Sequence, residues 1–212
     1  MTSVSPTPTG HGTVIYPVRF RDSSALLEGL RRSEAAASAE LYDRFAPHIR
    51  RVLSRILGAD PEVPDLLHEV FVQALRSVQS VQDGARLKGW LTTIAVYTAR
   101  GCIRKRQRYR WLGFRDPQQL PPIEGANADP EVLEALRTVY LVLEHLPADL
   151  RIPFSLRYVD KMELTEVAEA CHVSLATVKR RLSKAERRFV QRARREPSLV
   201  PWVQKHPRWR DL

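Results

Sequence analysis

Residues 163–184, ELTEVAEACHVSLATVKRRLSK, decide how this chain is read. Two short apolar patterns of helical period flank His172-Val173-Ser174, and the spacing is that of a helix-turn-helix. Val167 and Ala168 fall on the inner face of the first helix, where a small residue such as Ala168 lets a second helix pack closely. Ser174 stands where an N-cap is wanted. His172 stands where the turn requires positive φ, a conformation histidine tolerates better than most residues. Along the second helix Leu175, Val178, Leu182, Ala185 and Phe189 form the buried stripe. Ala176, Thr177, Arg180, Arg181 and Lys184 form the opposite face, with Lys179 at its flank. In this motif the second helix enters the DNA major groove and its early residues meet base edges. Arg180 and Arg181 are long enough for guanine edges or phosphates, and Lys184 suits phosphate.

Outward from this motif every apolar pattern keeps the helical period. Leu133, Leu136, Val139, Tyr140, Leu143 and Leu146 make a stripe from Glu131 onward, and a short helix follows Pro147, with Pro153 inside it as a kink. Residues 113–131 are rich in Pro, Gly and acids (Asp116, Glu124, Asp129) and read as a linker between two domains. Before it come three helices. Leu41, Tyr42, Phe45, Ile49, Val52, Leu53, Ile56 and Leu57 mark the first, which Gly58-Ala59-Asp60-Pro61 stops. Leu66, Leu67, Val70, Phe71, Ala74, Leu75 and Val78 mark the second, with Pro64 in its first turn. Leu87, Trp90, Leu91, Ile94, Ala95, Thr98 and Cys102 mark the third, from about 86 to 108. Trp90 sits on that stripe and reads as core rather than as a stacking platform. No strand is suggested, so the expected fold is all-α, two small helical domains joined by a flexible linker. The divisions are a flexible arm over 1–30, a first domain over 31–112, the linker over 113–131, a second domain over 132–195 and a tail over 196–212. In the tail Pro197, Pro201 and Pro207 prevent a long helix. Trp202 and Trp209 either fold back onto the second domain, the favoured reading, or contact a partner.

The 212 residues carry 34 Lys and Arg against 24 Asp and Glu, a net charge of +10. Residues 100–115 hold seven basic side chains and no acid, and residues 179–195 hold nine with one acid, Glu186. The two windows thus carry +15 and the rest of the chain −5. That division points to two nucleic-acid surfaces on an otherwise mildly acidic protein. Neither basic segment pairs with an exposed apolar face, which disfavours a membrane surface. At 43% hydrophobic and 27% charged residues the chain is not disordered. Two cysteines, Cys102 and Cys171, make no disulfide framework and read as core residues in a reducing compartment. With no signal peptide and no apolar run of spanning length, the expected location is the cytoplasm.

These features, in this order, resemble a family. AELYDRFAPHIRRVLSRILGADPEVPDLLHEVFVQAL (39–75) and LKGWLTTIAVYTARGCIRKRQR (87–108) resemble domain 2 of the bacterial sigma-70 family. LEHLPADLRIPFSLRYVDKMELTEVAEACHVSLATVKRRLSKAERRF (143–189) resembles its domain 4. With only these two domains, the chain resembles the extracytoplasmic-function group. The resemblance implies a sigma factor that brings core RNA polymerase to −35/−10 promoters under the control of an anti-sigma factor. Its partners are core polymerase, through the β′ clamp helices and the β flap, and promoter DNA, with no insertion into a membrane.

By the same resemblance the helix bearing Asp65-Leu66-Leu67-His68-Glu69-Val70-Phe71 docks on the clamp helices, through Asp65, Leu66, Glu69, Val72, Gln73 and Arg76. The turn over 79–85 and the helix after it hold the unpaired −10 strand, through Arg86, Lys88, Tyr97, Arg100, Arg104, Lys105 and Arg106. Related sequences often read IARN where this one has Ile94-Ala95-Val96-Tyr97, which leaves Tyr97 to stack on a base. Ser174, Ala176, Thr177, Lys179, Arg180, Arg181 and Lys184 meet the −35 duplex, and the acidic linker threads the polymerase cleft.

Two other readings compete. One is a stand-alone helix-turn-helix regulator whose first domain dimerises or senses a signal; such a protein needs no strand-opening surface. The other is a metal-dependent nuclease using Asp65, His68 and Glu69. His68-Glu69 resembles part of a zinc helix, but the position for the second histidine is Val72. The expectation is no catalytic residue, no metal and no cofactor.

Overall fold

The computed structural model describes residues 20–111, 129–206 and 209. Among them are nine α-helices and no strand: α1 (Ser23–Arg31), α2 (Ala35–Leu57), α3 (Val63–Ser77), α4 (Leu87–Trp111), α5 (Pro130–Glu144), α6 (Ala148–Phe154), α7 (Leu164–Cys171), α8 (Leu175–Ala193) and α9 (Val200–Lys205). The all-helical expectation holds, and the helix limits fall close to those the apolar period and the prolines dictate.

In the first half α2, α3 and α4 pack pairwise into a three-helix bundle. Leu41, Ile49, Leu53 and Ile56 of α2, Leu67 and Val70 of α3, and Leu87, Leu91 and Ala95 of α4 have almost no exposed surface. The expected arm over 1–30 needs correction at its C-terminal end. Asp22 caps α1, accepting hydrogen bonds from the Ser24 and Ala25 amides, and Leu26, Leu27 and Leu30 are buried against α2. Nine residues with three leucines are too few to establish a period. So short a helix takes its stability from packing rather than propensity. Residues 1–19 of the arm lie outside the described residues.

In the second half the helix-turn-helix forms as expected. His172 ends α7 in the left-handed region (φ 53°), and the Ser174 hydroxyl accepts the Thr177 amide at 3.2 Å. Glu163 and Glu166 close a capping box at the start of α7. Val167, Ala168, Val178, Leu182, Ala185 and Phe189 are buried between α6, α7 and α8, whereas Leu175, expected inward, is exposed because it is the first residue of α8. Pro153 cannot donate to the carbonyl four residues back, and the helix widens into a π-type turn over Ser155–Val159. In the tail α9 buries Leu199 and Val203, and Trp209 packs on Phe154, Tyr158 and Phe189 with ring centroids 5.4–6.0 Å apart. Trp202 is half exposed, so one tryptophan folds back and the other does not. Linker residues 112–128 lie outside the described residues, and α5 already begins at Pro130.

The two halves pack directly on one another. Helix α4 is covered by α2 and α3 and also by α6 and α7. That second contact explains why Val96, Ala99 and Ile103 are buried in addition to the stripe read from sequence. Helix α2 stops at Gly58 (φ 88°), whose amide donates to the Ser54 carbonyl at 2.8 Å and leaves those of Arg55, Ile56 and Leu57 without intrahelical partners. Side chains of the second half reach all four carbonyls of this turn. The Tyr140 hydroxyl donates to Ser54 and Arg55 at 3.2 and 3.3 Å, and Arg151 donates to Ile56 and Leu57 at 3.0 and 3.1 Å. Gly58 is required here, since a Cβ would stand 3.0 Å from the Tyr140 ring at a positive φ. Gln107 donates to the Leu146 carbonyl at 2.9 Å, and Arg51 pairs with Asp160 at 3.2 Å across the same junction.

Candidate nucleic-acid and polymerase interfaces

Helix α3 presents the first candidate surface. Asp65, Glu69 and Arg76 are exposed, Val72 and Gln73 are half-buried, and Gln73 donates to Glu69 at 2.8 Å. Leu66, counted among the docking residues from sequence, is 8% exposed and belongs to the core. Leu75 is the reverse case: read as core, it is 42% exposed one turn beyond Val72 and extends the apolar part of the face. Tyr42 of α2 flanks α3, its ring 4.8 Å from that of Phe71 and its edge exposed. The result is an acidic face with an apolar strip, suited to a basic helical partner.

The second surface is the segment over 78–86 and the exposed residues of α4. Arg86, Lys88, Arg104 and Lys105 are exposed. At the departure from the family pattern, Val96 is buried in the core. Tyr97 is 63% exposed, with the Arg100 guanidinium 5.4 Å from its ring centroid. Trp90 is half-buried against the core, as its place on the stripe implies. Arg106 does not belong to this surface. Its guanidinium grips Asp60 with both nitrogens, one bond at 2.7 Å, and reaches Glu62 at 3.0 Å. Burial by itself raises the Asp60 pKa, but the Arg106 hydrogen bonds, the Glu62 amide and the charges of Arg106 and Arg151 together outweigh it and hold the carboxyl below its ordinary range. The pair ties the α2–α3 turn to α4, which is a structural duty.

The third surface is the start of α8. Ala176, Lys179, Arg180 and Lys184 are exposed and Thr177 is half-buried. The Ser174 hydroxyl is committed to its cap and also meets the Thr177 hydroxyl at 3.0 Å.

The second and third surfaces meet at Asp149, in the first turn of α6, an acid that sequence reasoning did not single out. Arg100 and Arg104 of α4 each lie 3.5 Å from its carboxylate oxygens, and Arg181 of α8 lies 4.0 Å away. Arg100 and Arg181 are therefore turned inward in this arrangement rather than presented to solvent. The only sequence signal was Asp149 itself, an acid in a first helical turn, which is ordinary at that position.

Burial pushes the Cys102 and Cys171 thiols up to about 11, so both stay protonated core residues. Among the described residues no three His, Cys, Asp or Glu side chains group as metal ligands do, and no helix is long and apolar enough to cross a membrane.

Residues 41–109 match the family described as sigma-70 region 2, and residues 136–189 match sigma-70 region 4. The two stretches together span more than half of the chain. The chain is 27% identical over 169 residues to the ECF RNA polymerase sigma-E factor of Escherichia coli, covering 76% of this chain and 88% of that protein. It is 26% identical over 176 residues to the protein of the same name from Haemophilus influenzae, covering 76% and 89%. Two solved structures share the fold. One is the sigma factor RpoE in complex with the anti-sigma factor NepR from Bartonella quintana (TM-score 0.54, 20% identity, 71% of this chain and 92% of that one). The other is CnrH in complex with the cytosolic domain of CnrY (TM-score 0.56, 20% identity, 82% and 99%).

Proposed function

We propose, for a chain that belongs to the sigma-70 family of RNA polymerase sigma factors and to its extracytoplasmic-function group, a division of labour among its three surfaces. The α3 face of Asp65, Glu69, Val72, Leu75, Gln73 and Arg76 docks on the β′ clamp helices of core polymerase. The segment over 78–86, with Arg86, Lys88, Tyr97, Arg104 and Lys105, holds the unpaired −10 strand. Once they leave Asp149, Arg100 joins the −10 surface and Arg181 joins α8, which reads the −35 duplex through Ala176, Thr177, Lys179, Arg180 and Lys184. The second domain meets the β flap, and the polymerase supplies the chemistry. The observation that carries this reading is the acidic–apolar face of α3 in the same three-helix unit as the basic end of α4. A stand-alone regulator has no use for that combination.

The closed arrangement of the halves bears on how the factor is controlled. Arg104 and Arg181 both reach one Asp149 oxygen, so their guanidiniums stand within about 8 Å of each other. Elements centred 35 and 10 base pairs upstream of a start site are separated by about 85 Å of B-form duplex at roughly 3.4 Å per pair. Reading both at once requires the halves to separate. An anti-sigma factor that holds them together keeps the factor silent; the Bartonella quintana structure of the same fold is itself a complex with an anti-sigma factor.

Transcription by purified core polymerase on a randomised promoter library tests the proposal. The full-length chain should bind core and initiate at a definite −35/−10 pair. Failure to bind core, with intact DNA binding, would leave the stand-alone regulator as the better reading.

A further inference from the structure

Helix α1 precedes the stretch matched to sigma-70 region 2, which begins at residue 41, and the division of labour above gives it no role. Its contacts are specific. Besides α2 it packs on two short turns, Val78–Ser80 and Gly84–Arg86, that flank Val81-Gln82-Asp83. The Arg31 guanidinium donates to the Val81 carbonyl at 2.6 Å, and Gln79 returns a bond from its side-chain amide to the Arg31 carbonyl at 3.0 Å. Glu28, 2.6 Å from Arg31, holds the guanidinium in place. At the other end Gly84 is pressed onto the start of α1. A Cβ there would stand 2.3 Å from the Ser23 carbonyl oxygen and 2.6 Å from the Ser24 nitrogen, both backbone atoms with no freedom to yield. Asp22 and Asp83 close the two facing turns by capping the Ser24, Ala25 and Ala85 amides. Val78 and Val81 are buried below.

We infer that α1 is a positioning strut: Arg31, Gln79 and the Ser23–Gly84 contact hold the 78–86 segment in the shape that captures the unpaired −10 strand. This rests on the reading that the segment holds that strand. The physical reason is preorganisation. A nine-residue connection with few side chains in the core has many conformations. A segment ordered before the strand arrives spares the complex the cost of ordering it on binding. Arg31 suits the task because a charge-assisted bond to a backbone carbonyl is stronger than a neutral one.

The test uses the full chain with purified core. The probe is a fluorescent single-stranded oligonucleotide carrying the −10 strand of a promoter that the wild-type holoenzyme has selected from a randomised library. Arg31→Met and Gly84→Ala should each weaken capture of that strand about tenfold or more while leaving affinity for core and for the −35 duplex unchanged. Arg31→Lys, which can still donate to the Val81 carbonyl, should recover much of the loss. Wild-type strand capture by both Arg31→Met and Gly84→Ala overturns the inference. A parallel fall in core affinity overturns it too, because α1 would then be a general support of the fold. A wild-type holoenzyme that selects no promoter sinks the sigma reading before the variants are made, so the two failures are distinguishable.

Discussion

Replacing Arg151 by methionine should cost this protein more than any single surface charge does. The side chain is 3% exposed and donates to Ile56 and Leu57, the last two carbonyls of α2. Burial draws its pKa down to about 10, so it is charged at neutral pH and its burial is itself unfavourable. That shift from 12.5 corresponds to roughly 3 kcal/mol against the charged form. Hydrogen bonds to a charged donor return about 1.5–3 kcal/mol each, so the arginine itself is a modest net gain. Methionine keeps the stem, fills much of the volume and removes the burial cost, but the two carbonyls stay behind. Orphaned and buried, they cost about 1–3 kcal/mol each. The expected net loss is about 2–4 kcal/mol, or a fall in Tm of roughly 5–12 °C for a chain of this size. Urea denaturation gives the total. Amide exchange at residues 54–60 should rise well above that in the centre of α2, because the lost contacts sit at its C-terminus. A loss below about 1 kcal/mol with unchanged exchange at α2 would refute the claim that the second half caps the first.

Asp149→Asn should behave oppositely. Its carboxylate is 40% exposed and its three arginine contacts are at 3.5–4.0 Å, so stability should fall by less than about 1 kcal/mol. Freeing Arg100, Arg104 and Arg181 should nevertheless raise affinity for non-specific duplex and steepen its salt dependence, read by anisotropy at two salt concentrations; unchanged affinity would show that Asp149 masks nothing. Acid should act through two groups. The folded pKa of Asp60 lies below 3.8, so its contribution is complete above the unfolded value and is lost as pH falls through the folded one. His48 is held below 6.5 by burial, Lys88 and Arg51, and its Nε2 sits 2.9 Å from the Thr92 hydroxyl. Its contribution is complete above pH 6.5 and declines as pH falls from there towards its folded pKa. His48→Gln should flatten the stability profile just below pH 6.5 and Asp60→Asn the profile below about pH 4; profiles that stay parallel to wild type would contradict both. Arg180→Ala should change which −35 sequences are preferred, whereas Lys105→Ala should weaken binding to all sequences alike, measured by selection from a randomised duplex pool. Equal, sequence-blind losses would remove Arg180 from base reading.

Much of the architecture was legible because it is local. A cap at Ser174, a left-handed residue at His172 and a proline at the start of α3 are decided within a few residues, and an apolar period of 3.6 needs only a turn or two beyond them. The exposed face of α3 was legible for the same reason, with two exceptions: Leu75, drawn on the buried stripe, turns out, and Leu66, counted among the docking residues although it lies on that stripe, stays in. Helix α1 fell below the length at which a period can be seen. The second buried side of α4, with Val96, Ala99 and Ile103, could not be seen, because what covers it comes from beyond the linker.

By itself the sequence determined an all-helical chain in two units, a helix-turn-helix at the second and two concentrations of positive charge, since each is a property of neighbours along the chain. Tertiary structure decided which charge does what. Arg106 joins the basic run of α4 in sequence but serves Asp60, 46 residues away. Arg151 carried no signal and caps a helix that ends almost a hundred residues earlier. Arg104 and Arg181, from the two basic windows, converge on one aspartate of a third segment. A charge has no preferred partner until packing brings one within about 4 Å and excludes water around it, and only the folded chain does that.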